Sequence, residues 1–302
     1  MSKRTKIILL ICFLIILLTG IGLMLYPMIS ASYANTHRSE YFMEYKTEVE
    51  KVDTTEKDAA WVNAQEHNRK LYAGELNALD PKVNGYFDQL NLMAHGVMGY
   101  ITIPSIDVTL PIFHGTSEDV LRAGAGHMPE SSLPIGGDNT HSVITAHSGM
   151  ASEPMFSDLG LLEVGDIFQL NILGRILTYE VYEIPEPVLP QYVDVIQIQG
   201  GKDLCTLITC TPFGINTHRL LIHAERIENP VEETQSAIQK SKKKNDTSVW
   251  QSNYQRSLII GISIAAGVIL LIFLIFVIRF FMVPKKPGKY EYRKDNDKKK
   301  RS

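Results

Sequence analysis

The sequence predicts a mainly β domain, a small barrel or sandwich, preceded by a helical region and carried between two membrane-spanning segments. Three observations predict it. An apolar, charge-free run lies near each end of the 302-residue chain; seven short β-like runs crowd the stretch 97–227; and the polar stretch before them has helical texture without a core of its own.

Residues 1–6 contain Lys3, Arg4 and Lys6, and no charged residue follows from Ile7 to Tyr26. A bilayer core of ~30 Å takes about 20 apolar residues as a helix. Residues 7–26 therefore read as a transmembrane helix or uncleaved signal anchor. Small residues around Ser30, Ala31, Ser32 and Ala34 resemble a processing site, but the run exceeds the ~7 to 15 residues of a usual signal core. The second run, from Leu258 to Ile278, is also uncharged and precedes a basic tail. The span is assigned to 258–283 and the tail to 284–302.

Lysine and arginine beside a span stay on the cytoplasmic side, so both termini are expected inside and the residues between them outside. Lys242, Lys243 and Lys244 oppose this orientation but are outvoted by the longer tail. Residues 279–302 carry ten basic and three acidic groups and residues 1–6 three basic ones, so a net charge of −3 leaves −13 between them. The outer domain is acidic, and no nucleic-acid partner is expected.

Cys12 lies inside the first span, leaving Cys205 and Cys210 as the thiols of the outer domain. They sit on what reads as one strand, five residues apart, and odd separations face opposite sides of a strand. No disulfide is expected, so at least one thiol needs another explanation.

Residues 27–96 read as a helical stalk or cover, with Asp53 and Glu56 as a capping pair and Gly74 as a stop. From Val97 the texture changes to β-like runs: Tyr100–Ile103, Val108–Phe113, Ser142–Ala146, Ile167–Ile172, Ile176–Ile184, Leu204–Cys210 and Leu220–Ile227. Closely spaced short runs separated by turn residues indicate a barrel or sandwich. Residues 228–257 are polar and lysine-rich, as a linker would be.

The run ending at Cys210 meets Thr211-Pro212-Phe213-Gly214, where proline and glycine turn the chain, and Arg219 opens the next run. A thiol and a guanidinium at one rim can share a site in which the cation favours thiolate and can donate to an oxyanion. Thiolate chemistry on a carbonyl also needs a proton carrier. The candidates are His95, His114, His127, His141, His147, His218 and His223, with His147 at a strand end beside a loop. Taken singly, a cysteine on an apolar strand is more often a packing residue. No C-x-x-C or H-E-x-x-H pattern is present, so neither a metal nor a cofactor is expected.

Thr206-Leu207-Ile208-Thr209-Cys210 resembles the T-L-x-T-C signature of sortases, with Arg219 at the family's spacing after the cysteine and His147 on the preceding strand at the family's histidine position. Met98-Gly99-Tyr100-Ile101, His114-Gly115-Thr116-Ser117, Ser132-Leu133-Pro134-Ile135-Gly136-Gly137 and Thr211-Pro212-Phe213-Gly214-Ile215-Asn216-Thr217-His218 are similar to the pilin-polymerising subgroup, class C. The resemblance implies a closed sortase-type β-barrel over residues 97–227. It implies that Cys210 attacks an LPxTG-like sorting signal to form a thioester, with His147 as acid then base and Arg219 holding substrate and oxyanion. A pilin lysine would resolve the thioester, polymerising pili on a Gram-positive surface. Cys205 is left as a packing residue.

Class C members carry a lid ahead of the barrel, and the candidate here is Asp80-Pro81-Lys82, with lysine where an aromatic is usual. Asp80 is expected to pair with Arg219 while Lys82 covers Cys210 poorly, or Tyr86 or Phe87 supplies the plug. Asp-Pro is also a common turn start. Competing functions are a housekeeping sortase using a cell-wall precursor amine, a cysteine protease, and a catalytically silent surface scaffold.

Overall fold

The computed structural model describes residues 43–82, 84–92, 96–148, 154–191 and 196–228, with scattered positions inside 7–26 and 260–278. The chain divides into two compact units, Ile29–Tyr254 and Met1–Met28 with Gln255–Ser302. Described positions in the second unit are helical, and apolar side chains such as Ile11, Leu18, Ile264 and Leu271 are exposed. Among the described residues no helix is long and apolar enough to cross a membrane; the two hydrophobic runs are described only in part. His95, the Lys242–Lys244 run, nearly all of the linker and the basic tail lie outside the described residues.

Within Ile29–Tyr254, the strands are β1 (Val97–Ile103), β2 (Val108–His114), β3 (Ala125–His127), β4 (Thr140–Thr145), β5 (Ile167–Ile172), β6 (Arg175–Glu183), β7 (Asp203–Thr211) and β8 (His218–Ile227). They close into a barrel in the order β1-β2-β3-β4-β7-β8-β6-β5, with β1 paired to β5. The β2–β3 and β4–β7 pairs are parallel and the others antiparallel. A barrel of this size is filled by its own side chains. Met98, Ile101, Leu110, Ile144, Phe168, Tyr179, Leu207 and Ile222 form much of that filling and are all essentially inaccessible.

Each of the seven predicted runs coincides with a strand to within a few residues. The strand that the sequence did not announce is β3, whose Ala-Gly-His carries no apolar alternation. It exists because two glycines admit it: a Cβ on Gly126 would collide with the Gly115 carbonyl, and one on Gly124 would lie 2.7 Å from the Pro111 carbonyl. The six-residue helix α2 (Glu118–Ala123) makes the crossover from β2 to β3.

The helix α1 (Thr54–Tyr72) begins after Asp53, as its sequence predicts, although the Asp53 side chain makes no capping hydrogen bond. Gly74 ends it at φ +70. The Glu75 N–H donates to the Lys70 carbonyl at 2.9 Å and the Gly74 N–H to that of Leu71 at 3.1 Å, the paired bonds of a Schellman stop.

The expectation of a stalk without a core role is corrected by what α1 buries. Ala64 is inaccessible and part of the barrel's main apolar cluster. The Asn68 amide donates to the Leu133 carbonyl at 3.1 Å and accepts from the Leu133 N–H at 2.7 Å, reading that backbone as a neighbouring strand would. Trp61 lies under the Arg175 guanidinium at 4.3 Å. Upstream, the Tyr45 hydroxyl donates to the Met98 carbonyl and accepts from the Leu173 N–H. Polar Asn68 and His67 carry part of its buried face, so the helix reads in sequence as a polar stalk.

Candidate active site

β7 distributes its residues by strict alternation. Cys205 and Leu207 point into the barrel core, and the Thr209 hydroxyl reaches the Ala146 carbonyl at 2.9 Å. Ile208 and Cys210 therefore face outward. Ile208 joins Val143 and Leu221 in a separate apolar cluster bordered by Met128, Val188 and Ile196. Half-buried Cys210 thus stands at the end of an apolar floor on the barrel's outer face. Cys205 is fully buried, and burial and the nearby Asp203 push its thiol well above the usual range; it packs.

Arg219 is the direct antiparallel partner of Cys210, so both side chains emerge on the same face. The Arg219 N–H donates to the Val188 carbonyl at 2.7 Å, and its carbonyl accepts from the Val188 N–H at 3.0 Å. The strand end is thereby clamped between β7 and the chain leaving β6. Its Nη1 donates to the carbonyls of Asn216 and His218 at 3.2 and 3.1 Å.

His147 follows β4, which runs parallel to β7 with Thr145 opposite Ile208. Two residues further along each strand, His147 stands level with Cys210 on the same outer face. The Ala146 N–H donates to the Ile208 carbonyl at 3.2 Å, continuing the pairing beyond β4, and the His147 carbonyl accepts from Phe156 N–H at 3.0 Å. Its Nε2 lies 3.7 Å from Oε2 of Glu118, a neighbour that the sequence did not signal.

The other candidate histidines that the structure describes are placed elsewhere. His218 is opposite Thr211 and so faces away from Cys210. His127 is fully buried, bonded to the Ser132 carbonyl and the Tyr86 hydroxyl. His114 contacts the carbonyls of Gly96 and Gln89. His141 and His223 flank the Thr206 hydroxyl at 2.7 and 2.8 Å, and His141 Nδ1 holds the Gln197 carbonyl at 2.9 Å. Donation to Gln197 assigns the proton to Nδ1, so Nε2 accepts from Thr206 and His223 donates to it. The first threonine of the signature therefore ties the β6–β7 connection to the barrel. Among the described residues no cluster of potential ligands could hold a metal ion.

The lid candidate forms a compact turn. The Asp80 N–H donates to the Asn77 carbonyl at 3.0 Å and the Asn84 N–H to the Asp80 carbonyl at 3.2 Å. No ion pair among the described residues joins Asp80 to Arg219, whose guanidinium turns to its own loop. Tyr86 is not the plug either. It is inaccessible, its hydroxyl contacts His127 and accepts from the Gly115 N–H, and Phe87 packs on Tyr86 and His114. Asp80-Pro81-Lys82 carries the backbone turn that Asp-Pro commonly starts.

Residues 101–227 match the sortase domain family. The fold is similar to the crystal structure of sortase C1 from Streptococcus agalactiae, with 41% identity and a TM-score of 0.59 over 63% of this chain and 99% of that one. The chain belongs to the sortase family. It is also similar to sortase C of Clostridium perfringens with its C-terminal cell wall sorting motif, at 40% identity and a TM-score of 0.57, over 63% of this chain and 99% of that one. A curated relative, sortase A of Streptococcus agalactiae serotype III, is 36% identical over 132 residues, 43% of this chain and 52% of its own. The match thus spans about half the length of that relative. The family match at residues 101–227 takes in the barrel from within β1 onward and the Cys210, His147 and Arg219 positions.

Proposed function

We propose that this sortase is a class C, pilin-polymerising cysteine transpeptidase, held at the outer face of the cell membrane by residues 7–26 and 258–283 with both termini inside. The observation that carries the chemistry is the antiparallel pairing of Cys210 with Arg219, with His147 level on the same face. The sulfur attacks the Thr-Gly carbonyl of an LPxTG-like signal, and the buried Val143, Ile208 and Leu221 cluster supports the Cys210 strand end from below. The charge that develops on the carbonyl oxygen is met by the Arg219 guanidinium, a delocalised donor that stays protonated throughout. His147 gives its proton to the departing amine, and a thioester remains on Cys210. A lysine amine of the next pilin subunit then attacks the thioester, with His147 as base.

The pilin acceptor and the membrane anchoring rest on the resemblance to class C, on the similarity to sortase C structures and on the charge pattern of the termini. Incubation of the full chain in detergent with a sorting-signal peptide tests the reading. A mass-spectrometric thioester at Cys210 that is consumed by added lysine amine supports it. Release to water alone indicates a protease, and transfer only to a glycyl amine indicates a housekeeping sortase. Absence of any adduct overturns the enzyme reading.

A further inference from the structure

Beside His147 stands a carboxylate that the reaction as written does not use. Glu118 opens α2, and its two oxygens are differently engaged. Oε1 accepts from Arg122 Nε at 3.1 Å, one turn along the helix. Oε2 lies 3.7 Å from His147 Nε2, with 62% of the Glu118 side chain exposed against 24% of that of His147. One oxygen is thus anchored while the other is directed at the proton carrier and open to solvent. Asp119 follows it in the first turn and adds to the negative potential there.

We propose that Glu118 receives the ammonium group of the acceptor lysine, an inference that rests on the transpeptidase reading. A lysine side chain arrives protonated at neutral pH and has to approach a base before it can attack. In the first half-reaction His147 gives up its proton, so the imidazolium facing Oε2 becomes a neutral imidazole. The carboxylate is then left beside a fresh thioester with a vacant place for a cation, and the acceptor ammonium fills it. Binding is thereby timed to follow acylation.

The protons balance. The ammonium loses two, one to bulk water, which offsets the proton that the departed amine takes up from it, and one to His147, which restores the imidazolium. The nitrogen lone pair forms the new C–N bond as the C–S bond breaks, and its electron pair leaves on Cys210 as thiolate. Water is neutral and gains nothing from Glu118, so the same contact favours transfer over hydrolysis.

The test uses the full chain in detergent, acylated with a sorting-signal peptide, and measures thioester consumption by two nucleophiles. One is N-acetyl-lysine amide, a cation; the other is hydroxylamine, uncharged at neutral pH. Glu118→Gln is expected to lower the ratio of lysine to hydroxylamine rates about fivefold, the scale of an exposed ion pair, and Glu118→Lys to lower it further. Added salt is expected to lower the ratio in the parent and to leave it flat in Glu118→Gln. A ratio unchanged in both variants, or lysine and hydroxylamine rates that fall together, overturns the inference. The hydroxylamine arm reports in the same sample that each variant is folded and acylated. A parent that forms no thioester overturns the transpeptidase reading and this inference with it.

Discussion

Acid should unfold this barrel through His127. The residue is inaccessible at the centre of the β2–β3–β4 region, its Nε2–H donates to the Ser132 carbonyl at 2.8 Å, and its Nδ1 faces the Tyr86 hydroxyl at 2.9 Å. Burial, the dominant cause, drives its pKa from the usual histidine value of 6.5 down to about 3. The unfolded chain binds a proton at this position below pH 6.5 while the folded chain does not until about pH 3. Stability is therefore undiminished above pH 6.5 and is lost as the pH falls below it. At ~1.36 kcal/mol per pH unit, His127 alone costs about 2 kcal/mol by pH 5. Urea unfolding of the parent and of His127→Gln at pH 7, 6 and 5 isolates the term, because other buried histidines titrate in both proteins. Glutamine is expected to be less stable at pH 7 and to show the shallower acid slope. Parallel slopes would refute the reasoning, and a parent whose stability is flat from pH 7 to 5 would do so outright.

Asn68→Ala removes both bonds to the Leu133 backbone and leaves a buried N–H and carbonyl unpaired, an expected loss of about 2–4 kcal/mol in the same unfolding assay. Arg219→Lys keeps the charge but loses the planar fork, and the rate of thioester formation at Cys210 is expected to fall about tenfold or more. A lysine variant as fast as the parent would show that charge alone suffices. Because Asp80 makes no ion pair with Arg219, Asp80→Ala is expected to leave the alkylation rate of Cys210 within about twofold of the parent. A rise well beyond that would show that the 77–84 turn closes over the site.

The strands were legible because β-branched and aromatic runs broken by Gly, Pro, Asn and Asp leave a period-two signature in the chain itself. Alternation separated the two thiols, since an odd spacing places Cys205 and Cys210 on opposite faces, and the T-L-x-T-C resemblance singled out Cys210. β3 was illegible because it is held by its neighbours' hydrogen bonds and by the room that Gly124 and Gly126 leave, not by its own side chains. The role of α1 was misread for a related reason. A buried Asn68 satisfied by the Leu133 backbone looks, in sequence, like any solvent-facing asparagine.

The sequence by itself determined the hydrophobic runs at both ends, the acidic segment between them, the order of most strands and the opposite facing of the two thiols, because each depends on residues adjacent in the chain. The tertiary structure decided which thiol faces outward and what lies beside it. Parallel pairing of β4 with β7 brings His147 level with Cys210 across a long gap in the chain. Antiparallel pairing sets Arg219 opposite Cys210, and the crossover through α2 delivers Glu118 to His147. These neighbours are fixed by register and barrel closure, which depend on the whole set of strand pairings and have no counterpart in the local pattern of any one segment.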